Sequence, residues 1–345
     1  MLASNATAAD KPNVILIISD EHQVNALGCY GSVNRTIKGE SPTPNIDQLA
    51  ARGVTFTNAY TPSPLCAPAR ASLLTGVYPH VNTALYHKYN GQEPGHNRFP
   101  GILPSMATIG ETYRKAGYAT AAIGKVHVHG EVKEENNLGF DYSDMRFYTY
   151  YPGAQYADFA NGDWNMRYRE MGHYAKMKYR DIDPERFADA PPQLTPSSNH
   201  ENQNRMETLV DKEEQVFDDL VAKTSNDYLT KLAREKKPFF AYIGFEKPHA
   251  PYSTHKKYLE LFSADKMILP DTWDQANKTG RYPFVQGWLT IRKPQKATAR
   301  VTTAAYYACI REMDEQVGKV IQRCKDLGIY DNTIFIYTTD HGEPV

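Results

Sequence analysis

The run Leu65-Cys66-Ala67-Pro68-Ala69-Arg70, continuing to Gly76, places a cysteine, a proline and an arginine at what reads as the start of a helix. Proline is tolerated in a first helical turn, and good helix formers follow it. A thiol near a helix N-terminus and one turn from a guanidinium is expected to favour its thiolate, so the plain reading is a reactive Cys66 beside Arg70. Two acidic clusters accompany it, Asp20-Glu21 and Asp340-His341. Three carboxylates and an imidazole suit a hard divalent cation, with carboxylate oxygens favouring calcium or magnesium. Lys125 and His127 follow Gly124, and His249 stands between Pro248 and Pro251. An imidazole titrating near the operating pH suits general acid work.

Something must bring these distant residues together. Val14–Ile18 is a continuous β-branched run, apolar on both faces, as expected of a central parallel strand. Residues 44–53 read as a short helix with a glycine stop, and Val54–Ala59 as a second strand leading towards Cys66. A helix over Met106–Ala116 precedes a strand over Tyr118–Ile123. A long amphipathic helix over Val216–Lys236 precedes a strand over Phe239–Phe245, and a helix over Thr302–Leu327 precedes a strand over Thr333–Thr339. The alternation predicts an α/β fold with a mainly parallel central sheet and helices on both faces. Asp20, Lys125, His127, His249, Asp340 and His341 then all fall just after strands. Ligands bind outside the carboxyl ends of strands in open sheets, so the six share one rim. Residues 140–204 have weak periodicity and many prolines, and read as a long insertion.

The bulk properties narrow the class. The chain has 345 residues, room for one large or two ordinary domains. With 41% hydrophobic residues, 23% charged residues and a net charge of −1, it offers no electrostatic case for nucleic acid or a membrane surface. No apolar run reaches the ~20 residues of a membrane span. Residues 1–10 are small and polar and read as a disordered leader; they lack the basic and apolar regions of an intact signal peptide. The four cysteines are no disulfide framework. Cys309 and Cys324 fall on one predicted helix, roughly 22 Å apart, too far to pair, and Cys29 lies in a glycine-rich turn.

Cys-x-Pro-x-Arg followed by Ser-Leu-Leu-Thr-Gly resembles the signature of the formylglycine-dependent sulfatases of the alkaline phosphatase superfamily. The resemblance runs in order from Asp20 to His341. It implies that Cys66 is oxidised to an aldehyde by a formylglycine-generating or anaerobic sulfatase-maturating enzyme. The hydrated aldehyde offers one hydroxyl to attack sulfur, while the other lets the sulfated intermediate collapse and expel sulfate. The family's metal is usually calcium, rather than magnesium, and the matching ligands here are Asp20, Asp340, His341 and residue 66. Glu21 stands where many members have Asp. Gly-Lys-Val-His matches an element in which Lys125 bridges sulfate and diol and His127 holds or deprotonates the formylglycine hydroxyl. The resemblance makes Arg70 the residue that fixes the diol, and His249 the one that protonates the leaving alkoxide or binds the ester oxygen. It also implies a further sulfate-binding lysine and a smaller C-terminal subdomain, neither present, so residues 11–345 read as a sulfatase catalytic domain cut before that subdomain. A periplasmic or secreted location is implied by the resemblance alone.

Between Phe140 and Arg180 lie many aromatics, Trp164 and Tyr168 among them, interleaved with arginines and lysines. Flat apolar faces suit sugar rings and cations attract sulfate, which points to a sulfated carbohydrate held by Trp164 and Tyr168. Glue for a long insertion is the equal alternative. Two other functions stay open: hydrolysis of phosphonate monoesters or phosphodiesters within the same superfamily, and a non-catalytic fragment that only binds.

Overall fold

The computed structural model describes residues 11–82, 102, 105–128, 138–144, 209–210, 217–249, 252, 254–271 and 296–342. Its centre is the predicted parallel sheet. Strands β1 (Asn13–Ser19), β2 (Ala119–Gly124), β3 (Tyr142–Asp144), β5 (Phe239–Gly244) and β7 (Thr333–Thr339) lie in the order β3-β2-β5-β1-β7, every pairing parallel. A two-stranded parallel ladder pairs β4 (Leu209–Val210) with β6 (Thr254–His255).

β1, apolar from Val14 to Ile18, is buried throughout because both faces of the sheet are covered. Ile15 and Ile17 face a layer built from α1 (Pro44–Ala51), α5 (Phe217–Arg234) and α7 (Lys296–Asp326), where they meet Val221, Leu229, Met313 and Val317. Val14, Leu16 and Ile18 face the opposite layer, with Ala71 and Leu74 of α2 (Cys66–Thr75) and with Phe240 and Tyr242 of β5. Of the remaining helices, α3 spans Pro79–Asn82, α4 Ile109–Lys115 and α6 Lys256–Leu259.

Three expectations change. Val54–Ala59 is not a strand: among the described residues no sheet ladder pairs it, and Val54 and Phe56 are 80% and 69% exposed. Its β-propensity had no pleated surface to fit against. The α4 helix starts at Ile109 rather than Met106, because Thr108 caps it, its side chain accepting from Glu111 N at 3.2 Å. Phe140 belongs to the core and Tyr142–Asp144 is the edge strand of the sheet, so the predicted insertion begins later than 140. Both Cys309 and Cys324 are buried on α7 and form no disulfide with each other, as their spacing required.

Candidate functional site

The carboxyl ends of β1, β2, β5 and β7 deliver Asp20, Lys125, His249 and Asp340-His341 to one rim. Two glycines let β2 and β5 approach there. Gly124 is left-handed at φ +79°, and a Cβ on it would stand 2.2 Å from the Gly244 carbonyl; a Cβ on Gly244 would stand 2.0 Å from that of Lys125. Glycine is therefore required at both. The opposite layer supplies α2, whose first residue is Cys66.

Arg70 ties these elements together. It is fully buried, and its guanidinium donates through Nε to Asp340 Oδ2 (2.9 Å) and through Nη2 to Asp20 Oδ2 (3.0 Å) and the Ser19 carbonyl (3.3 Å). Nη1 donates to the Lys125 carbonyl (2.8 Å) and to the Tyr242 hydroxyl (2.9 Å). All five N–H donors are thus engaged within the protein. The geometry has Arg70 holding the two carboxylates that flank Cys66. Tyr242, whose hydroxyl also donates to the Lys125 carbonyl at 3.0 Å, was not singled out from sequence. Its only signal was a polar tip on an otherwise apolar strand.

Asp20 lies between opposite charges. Its Oδ2 meets the buried Lys125 ammonium at 2.6 Å as well as Arg70. Burial alone would raise its pKa, but Lys125 and then Arg70 outweigh burial and hold the carboxyl well below the usual range. Asp340 Oδ1 accepts from the backbone N–H groups of Glu21 (3.1 Å) and His341 (2.8 Å). Glu21 itself is left-handed at φ +62°, and Tyr306 holds that turn by accepting from Gln23 N and donating to the Glu21 carbonyl. His127 is half-buried and likewise left-handed at φ +50°. Strained non-glycine residues of this kind cluster at functional sites.

Cys66 Sγ lies 3.5 Å from Asp20 Oδ1 and 3.1 Å from His341 Nε2. His341 Nδ1 lies 2.9 Å from the Gly342 carbonyl, which can only accept. In the neutral ring Nδ1 then carries the proton and Nε2 turns a lone pair towards Sγ. The expected thiolate is overturned. Burial, and next Asp20, push the Cys66 thiol far above its ordinary value, despite Lys125 and Arg70. The helix start is positive, but two carboxylates and the loss of water outweigh it.

Two overlapping donor groups surround Sγ: Asp20, Cys66, Asp340 and His341, and Asp20, Glu21, Cys66 and His249, the donor atoms in each lying within 4.8 Å of one another. Carboxylate oxygens with an imidazole lone pair are the donors a hard divalent cation takes. Three acids (Asp20, Glu21 and Asp340) against two fixed cations (Arg70 and Lys125) leave net negative charge for it to neutralise. The residues fit the ion. His249 sits with Glu21, Nε2 to Oε1 3.5 Å. Thus Cys66, Arg70, Lys125, Asp20, Glu21, His249, Asp340 and His341 come together, whereas Trp164 and Tyr168 lie outside the described residues.

The family model described as Sulfatase matches residues 12–345, and the chain belongs to that family. It is 27% identical over 358 residues to iduronate 2-sulfatase of Mus musculus, covering 99% of this chain and 56% of the relative. It is 28% identical over 341 residues to the ulvan-active sulfatase of Formosa agariphila, covering 96% and 51%. Among solved structures, the phosphonate monoester hydrolase of Agrobacterium radiobacter superposes with a TM-score of 0.65 at 20% identity, covering 97% of this chain and 63% of that one. The chain therefore spans about half to two thirds of the length of these relatives. Among the described residues, no helix is long and apolar enough to cross a membrane.

Proposed function

We propose that this chain carries the catalytic core of a sulfatase that hydrolyses a sulfate ester, with residue 66 acting as formylglycine. The observation that carries this reading is the surround of Cys66. Its sulfur faces Asp20, His341 and the cation-binding donors, yet as a thiol it keeps its proton. A cysteine so placed is a poor nucleophile, and Sγ marks where an oxygen of the hydrated aldehyde would stand.

The chain's own groups have separable tasks. Asp20 Oδ1, 3.5 Å from Sγ, can accept from a hydroxyl at position 66, and His341 Nε2, 3.1 Å from Sγ, turns its lone pair to the cation. Lys125, with its ammonium fully buried, and Arg70 balance the charge of the carboxylates. His249 stands at the edge of this cluster, its Nε2 3.5 Å from Glu21 Oε1, where its imidazole can give a proton to a departing alkoxide. A divalent cation held by Asp20, Glu21, Asp340 and His341 lowers the pKa of an adjacent hydroxyl and draws off charge from sulfuryl oxygens. The donor set suits calcium or magnesium, and the family resemblance favours calcium.

A sulfated carbohydrate is the substrate class we propose. Relatives named for iduronate 2-sulfate, for ulvan and for N-acetylgalactosamine-6-sulfate support it. The deciding experiment matures the chain with a formylglycine-generating enzyme and weighs the peptide bearing residue 66. It then compares sulfate and phosphonate esters of one alcohol. Loss of sulfur from that peptide together with preference for the sulfate ester is expected. Turnover by a verified thiol form contradicts the nucleophile, and preference for the phosphonate ester contradicts the substrate class.

A further inference from the structure

Behind the rim lies a buried polar cluster that the mechanism above does not use. Glu312, on α7 and fully buried, accepts from the Lys247 ammonium, from Thr254 Oγ1 at 2.7 Å and from His255 Nδ1. Asp218, at the start of α5 and also fully buried, accepts from the backbone N–H of Glu246 at 2.9 Å and of Lys247 at 3.1 Å. Its neighbour Asp219 places Oδ2 3.6 Å from His255 Nε2. Lys247 and His255 flank the stretch that leaves β5, presents His249 and returns to β6. One carboxylate therefore holds both ends of that stretch, and a second holds its first turn.

The same turn touches the cation-binding residues. The Lys247 carbonyl accepts from Asp20 N at 3.3 Å, and His249 N donates to the Glu246 carbonyl at 3.0 Å. The position of His249 is thus set from α5 and α7 on one side and from β1 on the other. Stability alone is a weak reason for such a cluster, because buried ion pairs can often be replaced by apolar residues at little or no cost. What Glu312 adds is direction. Its two oxygens fix Lys247 and His255 relative to each other, which an apolar residue could not do.

We propose that Glu312, seconded by Asp218, is a positioning residue for His249 and so governs proton delivery to the leaving group. This inference rests on the sulfatase reading for its chemistry, but its geometric part does not. Misplacing a catalytic group by about 1 Å can cost on the order of a hundredfold in rate. The effect is confined to substrates that need the proton.

The test uses the full, matured chain with Glu312→Gln. Para-nitrophenyl sulfate has a leaving group that departs without a proton, whereas an alkyl sulfate does not. The expected result is a loss of about tenfold to a hundredfold in kcat/KM on the alkyl ester and less than about threefold on the aryl ester. In a His249→Ala background the same substitution should cost nothing further on the alkyl ester. Equal losses on the two esters, or full additivity with His249→Ala, overturn the proposal. Should Glu312→Gln fail to fold, Glu312→Asp keeps the charge, withdraws it by one methylene and carries the same comparison. If the wild-type chain cleaves neither ester, the sulfatase reading falls, and the imidazole resonances of His249 at fixed pH decide positioning alone. A shift on substitution at 312 upholds it, and unchanged resonances overturn it.

Discussion

Cys66 Sγ lies 3.1 Å from Nε2 of His341, a residue 275 positions away in the chain. In the neutral ring the Gly342 carbonyl selects the tautomer of His341 in which a lone pair rather than a proton faces the sulfur. The arrangement accepts a proton from residue 66 or donates to a cation beside it. It is not built to stabilise a thiolate, for which an imidazolium would serve.

A chemical consequence follows for the unmodified chain. Cys66 is only 3% exposed, and burial with Asp20 and Asp340 keeps its proton in place. Half-buried Cys29 is the more accessible thiol. In chain made without a maturation enzyme, brief alkylation under native conditions should label Cys29 ahead of Cys66, and Cys66 should react only after denaturation. Peptide mapping reads the order of labelling. Fast native labelling of Cys66 would contradict the charge balance described above.

Cation binding should appear as stability. A ligand that binds only the folded state stabilises it by roughly 3 kcal/mol at a hundred times its dissociation constant, which is several degrees in Tm for a chain of this size. Calcium should therefore raise the Tm of wild-type protein and EDTA should reverse the rise. Asp340→Asn removes a donor charge and should abolish most of the increment. A Tm that ignores both calcium and magnesium at millimolar levels argues against the site.

Arg70 makes a second prediction about energy rather than catalysis. Removing one partner from a buried ion group leaves uncompensated charge and costs about 3–5 kcal/mol. Arg70→Ala leaves both Asp20 and Asp340 without their shared cation, so urea unfolding should show a loss of at least that order. Arg70→Lys keeps a charge but cannot serve both carboxylates, two carbonyls and Tyr242 at once. It should fall between Arg70→Ala and wild type. A loss below about 1 kcal/mol for Arg70→Ala would show the network to be dispensable.

Much of this site could be read from sequence because each key residue follows a strand with an unmistakable pattern. The apolar run before Asp20 and the run before Asp340 could only be buried strands, and parallel strands end on one rim. The role of Arg70 was not legible, because its partners lie 50, 55, 172 and 270 residues distant. The thiol state of Cys66 was misread for a related reason: local signals, a helix start and a guanidinium, favoured the thiolate, whereas carboxylates brought in by the fold reversed it. Val54–Ala59 shows the complementary failure, with strand-forming residues for which the fold provides no ladder. Glu312 and Asp218 carry no local signal at all, since acids on an amphipathic helix usually face water.

Gly124 tests the close approach that sets Lys125. A methyl group there meets the Gly244 carbonyl at 2.2 Å and both Val221 methyl carbons at 3.0 Å, on a backbone already at φ +79°. Overlap with a carbonyl cannot be relieved by a side-chain rotation. Gly124→Ala should cost at least about 2 kcal/mol from the conformation and the clash together. It should also lower activity, because Lys125 N donates to that same Gly244 carbonyl at 2.8 Å. Gly53→Ala gives a control, since its Cβ would meet the Leu49 carbonyl at a milder 3.1 Å. Equal effects of the two substitutions would refute the argument.

Asp218 predicts how stability varies with pH. Burial pushes its carboxyl up from an ordinary 3.8 to about 7, although Lys247 and the backbone donors pull the other way. Between those two values the folded chain holds a proton that the unfolded chain has released. The contribution to stability is therefore complete below about pH 4 and is lost as pH rises through about 7, to the extent of a few kcal/mol. Asp218→Asn has no proton to lose. The difference in unfolding free energy between wild type and Asp218→Asn should thus move against the wild type as pH rises from about 4 to about 8. Urea titrations of both proteins across that range give the difference directly, and other titrating groups cancel. A difference that stays constant with pH, or moves in favour of the wild type, would show that Asp218 is ionised throughout.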